Sequence, residues 1–164
     1  MNRLQRTLSK LDGLPSVLRG PARNFALRRA VPFTGTAGLD FVALTPERSE
    51  IRVANQRRVQ NHIQGVHAAA MALLAETATG MVVGMNVRDD CLPLCKSLQV
   101  NFRKRATGGL VAKAHLTDAQ RASMARDIKG EVTVAVTVTD EAGIEPIECE
   151  FVWAWVPKEK KPQA

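Results

Sequence analysis

The run Asn61-His62-Ile63-Gln64-Gly65-Val66-His67 is followed nine positions after His67 by Glu76, deep in an otherwise uncharged stretch. From Val66 to Val87 the only ionisable side chains are His67 and Glu76. A carboxylate left in such an apolar run costs on the order of several kcal/mol unless something compensates it. A mid-helix acid with no basic partner nearby has few structural reasons to exist, and a carboxyl group shifted by burial marks a functional site. The polar turn and the acid therefore read as the two halves of a composite active site.

Nine residues of helix at 100° each turn through roughly 900°, which puts His67 and Glu76 on opposite faces and about 13 Å apart along the axis. They do not easily share one site within one chain. The simplest arrangement that unites them is a two-fold homodimer, with Glu76 of one subunit facing the Asn61 to His67 turn of the other. A plainer reading stays open at each position. Asn61 and Gly65 can simply form a turn and cap the helix, and His67 can be a structural residue that hydrogen-bonds the loop.

The elements that must position these residues follow from the hydropathy pattern. Residues 66 to 87 form one long apolar helix, and a helix apolar all round in a globular protein is one wrapped by other structure. It is a poor membrane span, because it is built from Ala, Gly, Thr and Met more than Leu and Ile, and Glu76 near its centre costs about 2.5–3.5 kcal/mol on insertion. Ahead of it, Leu39 to Leu44 and Ile51 to Ala54 suggest a hairpin.

Behind it, four stretches alternate with period two: Leu98, Val100 and Phe102; Leu110 to Leu116; Val132 to Val138; and Phe151, Trp153 and Trp155. Thr107-Gly108-Gly109 and Asp140-Glu141-Ala142-Gly143 supply turns that join the first and the last of these pairs as antiparallel neighbours. Residues Asp118 to Asp127 read as a short helical or irregular connection. The expected fold is α+β, an antiparallel curved sheet of five to six strands wrapped around one long central helix.

The 164 residues fit one domain with a real core. Residues 1–37 form a basic, partly helical segment, 38–157 the domain, and Lys158 to Ala164 a disordered tail. Charge is uneven: residues 1–31 hold seven basic side chains against Asp12 alone, so six of the seven net positive charges sit there. No nucleic-acid motif accompanies this patch, which argues against nucleic acid as a partner. Leu4, Leu8 and Leu11 lie at helical spacing, as in a short amphipathic helix that docks on the domain or meets a membrane surface.

The segment is Arg-rich and acid-poor, as transit peptides are, but has no apolar core of a secretory signal. Cys91, Cys95 and Cys149 are an odd number without zinc-ligand spacing, which points to reduced thiols, a cytoplasmic protein and no bound metal.

The pattern of Asn, a short spacer, Gly, one residue, His, two small residues and an acid nine positions after the His is carried here by Asn61, Gly65, His67, Ala68 with Ala69, and Glu76. Over roughly Gly38 to Val156 the chain resembles hotdog-fold acyl-CoA thioesterases of the PaaI-like superfamily, in particular a single-domain branch. The resemblance implies hydrolysis of an acyl-CoA or acyl carrier protein thioester, with no cofactor beyond the coenzyme A of the substrate, at sites shared between subunits of a homodimer or homotetramer. Glu76 would be the general base or the nucleophile, with Asn61 and His67 orienting and donating, and Gly65 letting the backbone approach the substrate.

The backbone amides of Val66, His67 and Ala68 would form the oxyanion hole at the helix start. Arg103, Lys104 and Arg105, and Arg57 with Arg58, are candidates for the coenzyme A phosphates, although a solvated strand end explains the first cluster as well. Many members have two glycines after the His, where this chain has Ala68 and Ala69. Two other functions remain open: a hotdog hydratase or dehydratase, and a non-catalytic acyl-CoA binding dimer.

Overall fold

The computed structural model describes residues 1–159. In chain order the elements are α1 (Arg3–Ser9), α2 (Ser16–Ala30), α3 (Pro32–Ala37), β1 (Asp40–Leu44), β2 (Arg48–Val53), α4 (Ala68–Gly84), β3 (Cys91–Phe102), β4 (Leu110–His115), α5 (Asp118–Arg126), β5 (Gly130–Asp140) and β6 (Ile147–Pro157). The six strands form one antiparallel sheet in the order β1-β2-β4-β5-β6-β3. The expected architecture is thus the observed one, with α4 as the central helix.

Alternation explains the strands. In β5, Val132, Val134 and Val138 are buried while Glu131, Thr133, Ala135 and Thr137 are exposed. The buried rows of β2, β4, β5 and β6 close over α4, whose Leu74, Ala75, Ala78, Val82 and Val83 are fully buried. Small side chains let the sheet come close. A Cβ at Gly80 would lie 2.8 Å from the Trp153 ring, and the Trp153 indole donates to Thr79 Oγ1 at 2.9 Å. Ser49 on β2 likewise donates to the Ala78 carbonyl at 2.6 Å.

Two expectations need correction. Strand β3 begins at Cys91, seven residues before the Leu98 at which the alternation becomes visible. Pro93 obscures this first half, and a bulge between Cys95 and Ser97 changes the phase of the inward side chains. The segment Thr107-Gly108-Gly109 also does not join neighbouring strands, because β3 pairs with β6 at the far edge while β4 lies between β2 and β5.

Residues 103–109 instead cross the end of the β5–β6 hairpin. The amides of Arg103 and Lys104 donate to the Pro146 carbonyl, and the carboxylates of Asp140 and Glu141 accept from the amides of Thr107 and Gly109. Passing two intervening strands takes about 14 Å, well within the reach of that many residues.

The N-terminal helices dock on this core. Asn2 donates to the carbonyls of Gly84 and Val87 at 2.8 and 2.7 Å, and Gln5 donates to that of Met85 at 2.6 Å. The carbonyls of Gly84 and Met85 end α4 and would otherwise lack partners. Leu4 and Leu8 pack against the core from the same side, so the leucine stripe docks on the domain and does not face a membrane. Of the tail, Lys158 is held by hydrogen bonds to the carbonyls of Asp90 and Asp89. Beyond Glu159 the expected disordered tail lies outside the described residues. Cys91, Cys95 and Cys149 are free.

Candidate active site

The loop after β2 folds back on itself through main-chain bonds before it enters α4. Asn61 N donates to Gly65 O at 2.9 Å and His67 N to Val59 O at 2.7 Å, flanking a bridge between Gln60 and Val66. Asn61 Oδ1 accepts from the amides of Ile63 and Gly65, both at 3.1 Å. With Oδ1 occupied, the amide nitrogen Nδ2 of Asn61 is left as an outward donor. The tightest backbone in the turn belongs to Gln64, with φ of 63°, which the sequence did not signal. A Cβ at Gly65 would meet nothing closer than the Asn61 amide at 3.8 Å.

The residue that caps α4 is His67, not Asn61. Its Nδ1 accepts from Ala69 N at 3.0 Å, which fixes the proton of the neutral ring on Nε2 and leaves Nε2–H exposed as a donor. The hydrogen bonds also decide among the expected oxyanion donors. The His67 amide is spent on Val59 O, and that of Gly65 on Asn61. Ala69 N serves the cap, and Ala70 N donates to His67 O. The amides of Val66 and Ala68 have no protein acceptor among the described residues. The expected set of three thus loses His67 because the turn needs that amide to close.

Glu76 lies two and a half turns further along α4. It is half-buried and takes part in no ion pair among the described residues. Burial pushes its carboxyl above the ordinary range, with the neighbouring Thr77 hydroxyl pulling the other way. Thr77 Oγ1 is itself buried without a hydrogen bond of ordinary geometry. Helix α4 packs against β3, the strand at one edge of the sheet, and burial, with the Glu76 charge second, pushes the Cys95 thiol at the β3 bulge up. No pattern in the sequence linked Cys95 to Glu76.

The inner side of that edge is open. Leu98 and Phe102 stand opposite Phe151 and Ile147, which are buried, and directly opposed residues share a face of the sheet. Leu98 and Phe102 are nonetheless 53% and 54% exposed. An apolar strip thus continues from the Glu76 side of α4 with nothing over it among the described residues.

The candidate phosphate-binding cations occupy different surroundings. The Arg105 guanidinium donates to Ile63 O at 3.3 Å and so stands at the turn. Arg103 is bound to Glu148 through Nε and Nη2, at 2.9 and 2.6 Å. Lys104 and Arg57 are exposed. Arg58 donates to Gln56 at 2.7 Å and covers Gly38, where a Cβ would collide with the guanidinium. Within one chain, then, the structure gathers Asn61, Gly65, Val66, His67, Ala68 and Arg105 at the start of α4. Glu76 lies apart from them, beside β3. Among the described residues no group of three or more His, Cys, Asp or Glu is placed to hold a metal ion, and no helix is long and apolar enough to cross a membrane.

Solved structures share this architecture. A Pseudomonas aeruginosa protein of unknown function, described as a probable thioesterase, is 22% identical with a TM-score of 0.73, over 88% of this chain and 97% of that one. A thioesterase from Haemophilus influenzae is 11% identical with a TM-score of 0.65, over 80% and 87%. A variant of a thioesterase from Staphylococcus aureus is 14% identical with a TM-score of 0.66, over 77% and 99%. At these identities the likeness shows the fold, which is the hotdog fold. No curated protein matches by sequence. Residues 22–156 match a family model described as a domain of unknown function, DUF4442, and the chain belongs to that family.

Proposed function

We propose that the protein hydrolyses an acyl thioester, with acyl-coenzyme A as substrate, at two equivalent sites built between the subunits of a homodimer. The observation that carries this reading is Glu76, a half-buried carboxylate with no cation paired to it among the described residues, its pKa raised by desolvation, on a helix packed against the open apolar edge of the sheet. The thioesterase-named neighbours supply the reaction class.

In the proposed reaction the Glu76 carboxylate takes a proton from water as the oxygen attacks the thioester carbonyl. The oxyanion that forms accepts from the amide of Ala68 and that of Val66, at the positive end of α4 in the partner subunit. Asn61 Nδ2 donates to the carbonyl before attack, and His67 Nε2–H donates to the departing sulfur. The products are a carboxylic acid and a thiol. Arg105 is the cation best placed to meet a phosphate of the carrier. Leu98 and Phe102 line the path of the acyl chain.

The test is release of free thiol from a panel of short, medium, long and aromatic acyl-CoAs, with acyl carrier protein thioesters run in parallel. Glu76→Ala is expected to lower kcat/KM by at least about 100-fold with the fold retained. Unchanged turnover in that variant removes Glu76 from the reaction. Tight binding without release on every substrate makes the protein an acyl-CoA binding dimer, and dehydration of a 3-hydroxyacyl-CoA makes it a dehydratase.

A further inference from the structure

Helix α2 buries Leu27 as its sole buried side chain, and its other faces carry large apolar residues that are more than half exposed. Val17 is 77% exposed, Leu18 51% and Phe25 73%, and Phe33 at the start of α3 is 61% exposed. Leu18 and Phe25 are seven residues apart, close to two turns, so they form one ridge, which Pro21 and Arg29 extend at three and four residues from Phe25 or Leu18. Beside Phe25 lies a shallow hollow of about 650 Å³, lined by Pro21, Asn24, Phe25, Arg28, Arg29 and Pro32.

Charge indicates what covers this ridge. Arg19, Arg28 and Arg29 are in no ion pair among the described residues. Arg28 is anchored through Nε to the Leu39 carbonyl and Arg19 through Nε to that of Leu14, which fixes their direction without neutralising them. The acids of the neighbourhood are Asp12 and Asp40, and Asp40 accepts a hydrogen bond from Asn24. Six of the seven net positive charges of the chain lie in residues 1–31. A second copy of the same face would bring like charges together. A surface that is apolar at its centre and cationic around it fits the interface of a bilayer, where Phe and Leu enter the acyl boundary and arginines meet phosphates.

We propose that the exposed face of α2 and the start of α3 docks the protein onto anionic lipid bilayers, with Phe25 and Leu18 inserted and Arg28 and Arg29 on lipid phosphates in the adjoining hollow. The docking does not rest on the hydrolase reading.

The test is co-sedimentation of the full chain with phosphatidylcholine vesicles, and with vesicles containing about one-third phosphatidylglycerol. The chain is expected to sediment with the anionic vesicles alone and to be released as salt is raised. Phe25→Ser is expected to lower the partition coefficient about ten-fold, and Arg29→Gln about five-fold, as suits a single cation near a charged leaflet. Both positions are exposed, so melting temperature and thiol release without vesicles should not change. Three outcomes overturn the proposal: no sedimentation with anionic vesicles, sedimentation that both variants leave intact, and a loss of oligomer mass in Phe25→Ser without any vesicle binding, which would make the face a contact between copies.

Discussion

Glu76 has a raised carboxyl affinity for protons in the folded chain, and this affects activity and stability with opposite sign. The proposed hydrolysis needs the carboxylate, so kcat/KM is expected to fall, as pH is lowered, through a pKa above the ordinary carboxylate range. Stability runs the other way. Between the ordinary value and the raised one the folded state binds more protons than the unfolded state, so stability declines as pH rises through that window. Glu76→Gln removes the charge, and thermal melts should show the variant gaining on the natural protein from about pH 4.5 upward, with no gain below it. Equal melting curves at neutral pH would mean that the carboxylate is compensated by an unseen partner. Of the candidate site, the half-buried position of Glu76 was legible because an acid in an uncharged helix stands out. The roles of Asn61 and His67 were not, since a sequence does not say that the Asn61 side chain closes the turn while His67 takes the cap.

Among the elements, α4 depends on close approach to β6. A methyl group at Gly80 would meet the Trp153 ring at 2.8 Å, and the ring is fixed by its bond to Thr79. Gly80→Ala should therefore destabilise by about 1–3 kcal/mol in urea unfolding, although alanine is the better helix former by about 1 kcal/mol. A neutral or stabilising effect would show that the indole can move. Period-two runs made β4, β5 and β6 readable, because each buries one face on the helix. Half of β3 was hidden by Pro93 and by the bulge that resets its phase after Cys95. Its pairing with β6 was hidden too, since turn-like residues at 107–109 look the same whether a chain reverses there or crosses the end of a hairpin.

For the whole molecule, the open edge of β3 is what the proposed dimer needs. Sedimentation equilibrium should return a multiple of the 17.9 kDa chain mass. Leu98→Asp, on the exposed inner strip, should shift the protein toward the single-chain mass and abolish thiol release, while circular dichroism stays native. Full activity in a single-chain species would show that one chain holds a complete site, against the separation of Glu76 from the turn at Asn61.

The strand order also dictates a sequence of events during synthesis. Among the described residues β3 pairs within the sheet with β6 alone, the last of the six strands. Until Ile147–Pro157 has left the ribosome, a nascent chain holds a long unpaired edge and a central helix with one flank bare. Long-range pairing of this kind is slow and prone to aggregation. The half-made protein thus keeps apolar surface bare until the two tryptophans of β6 dock.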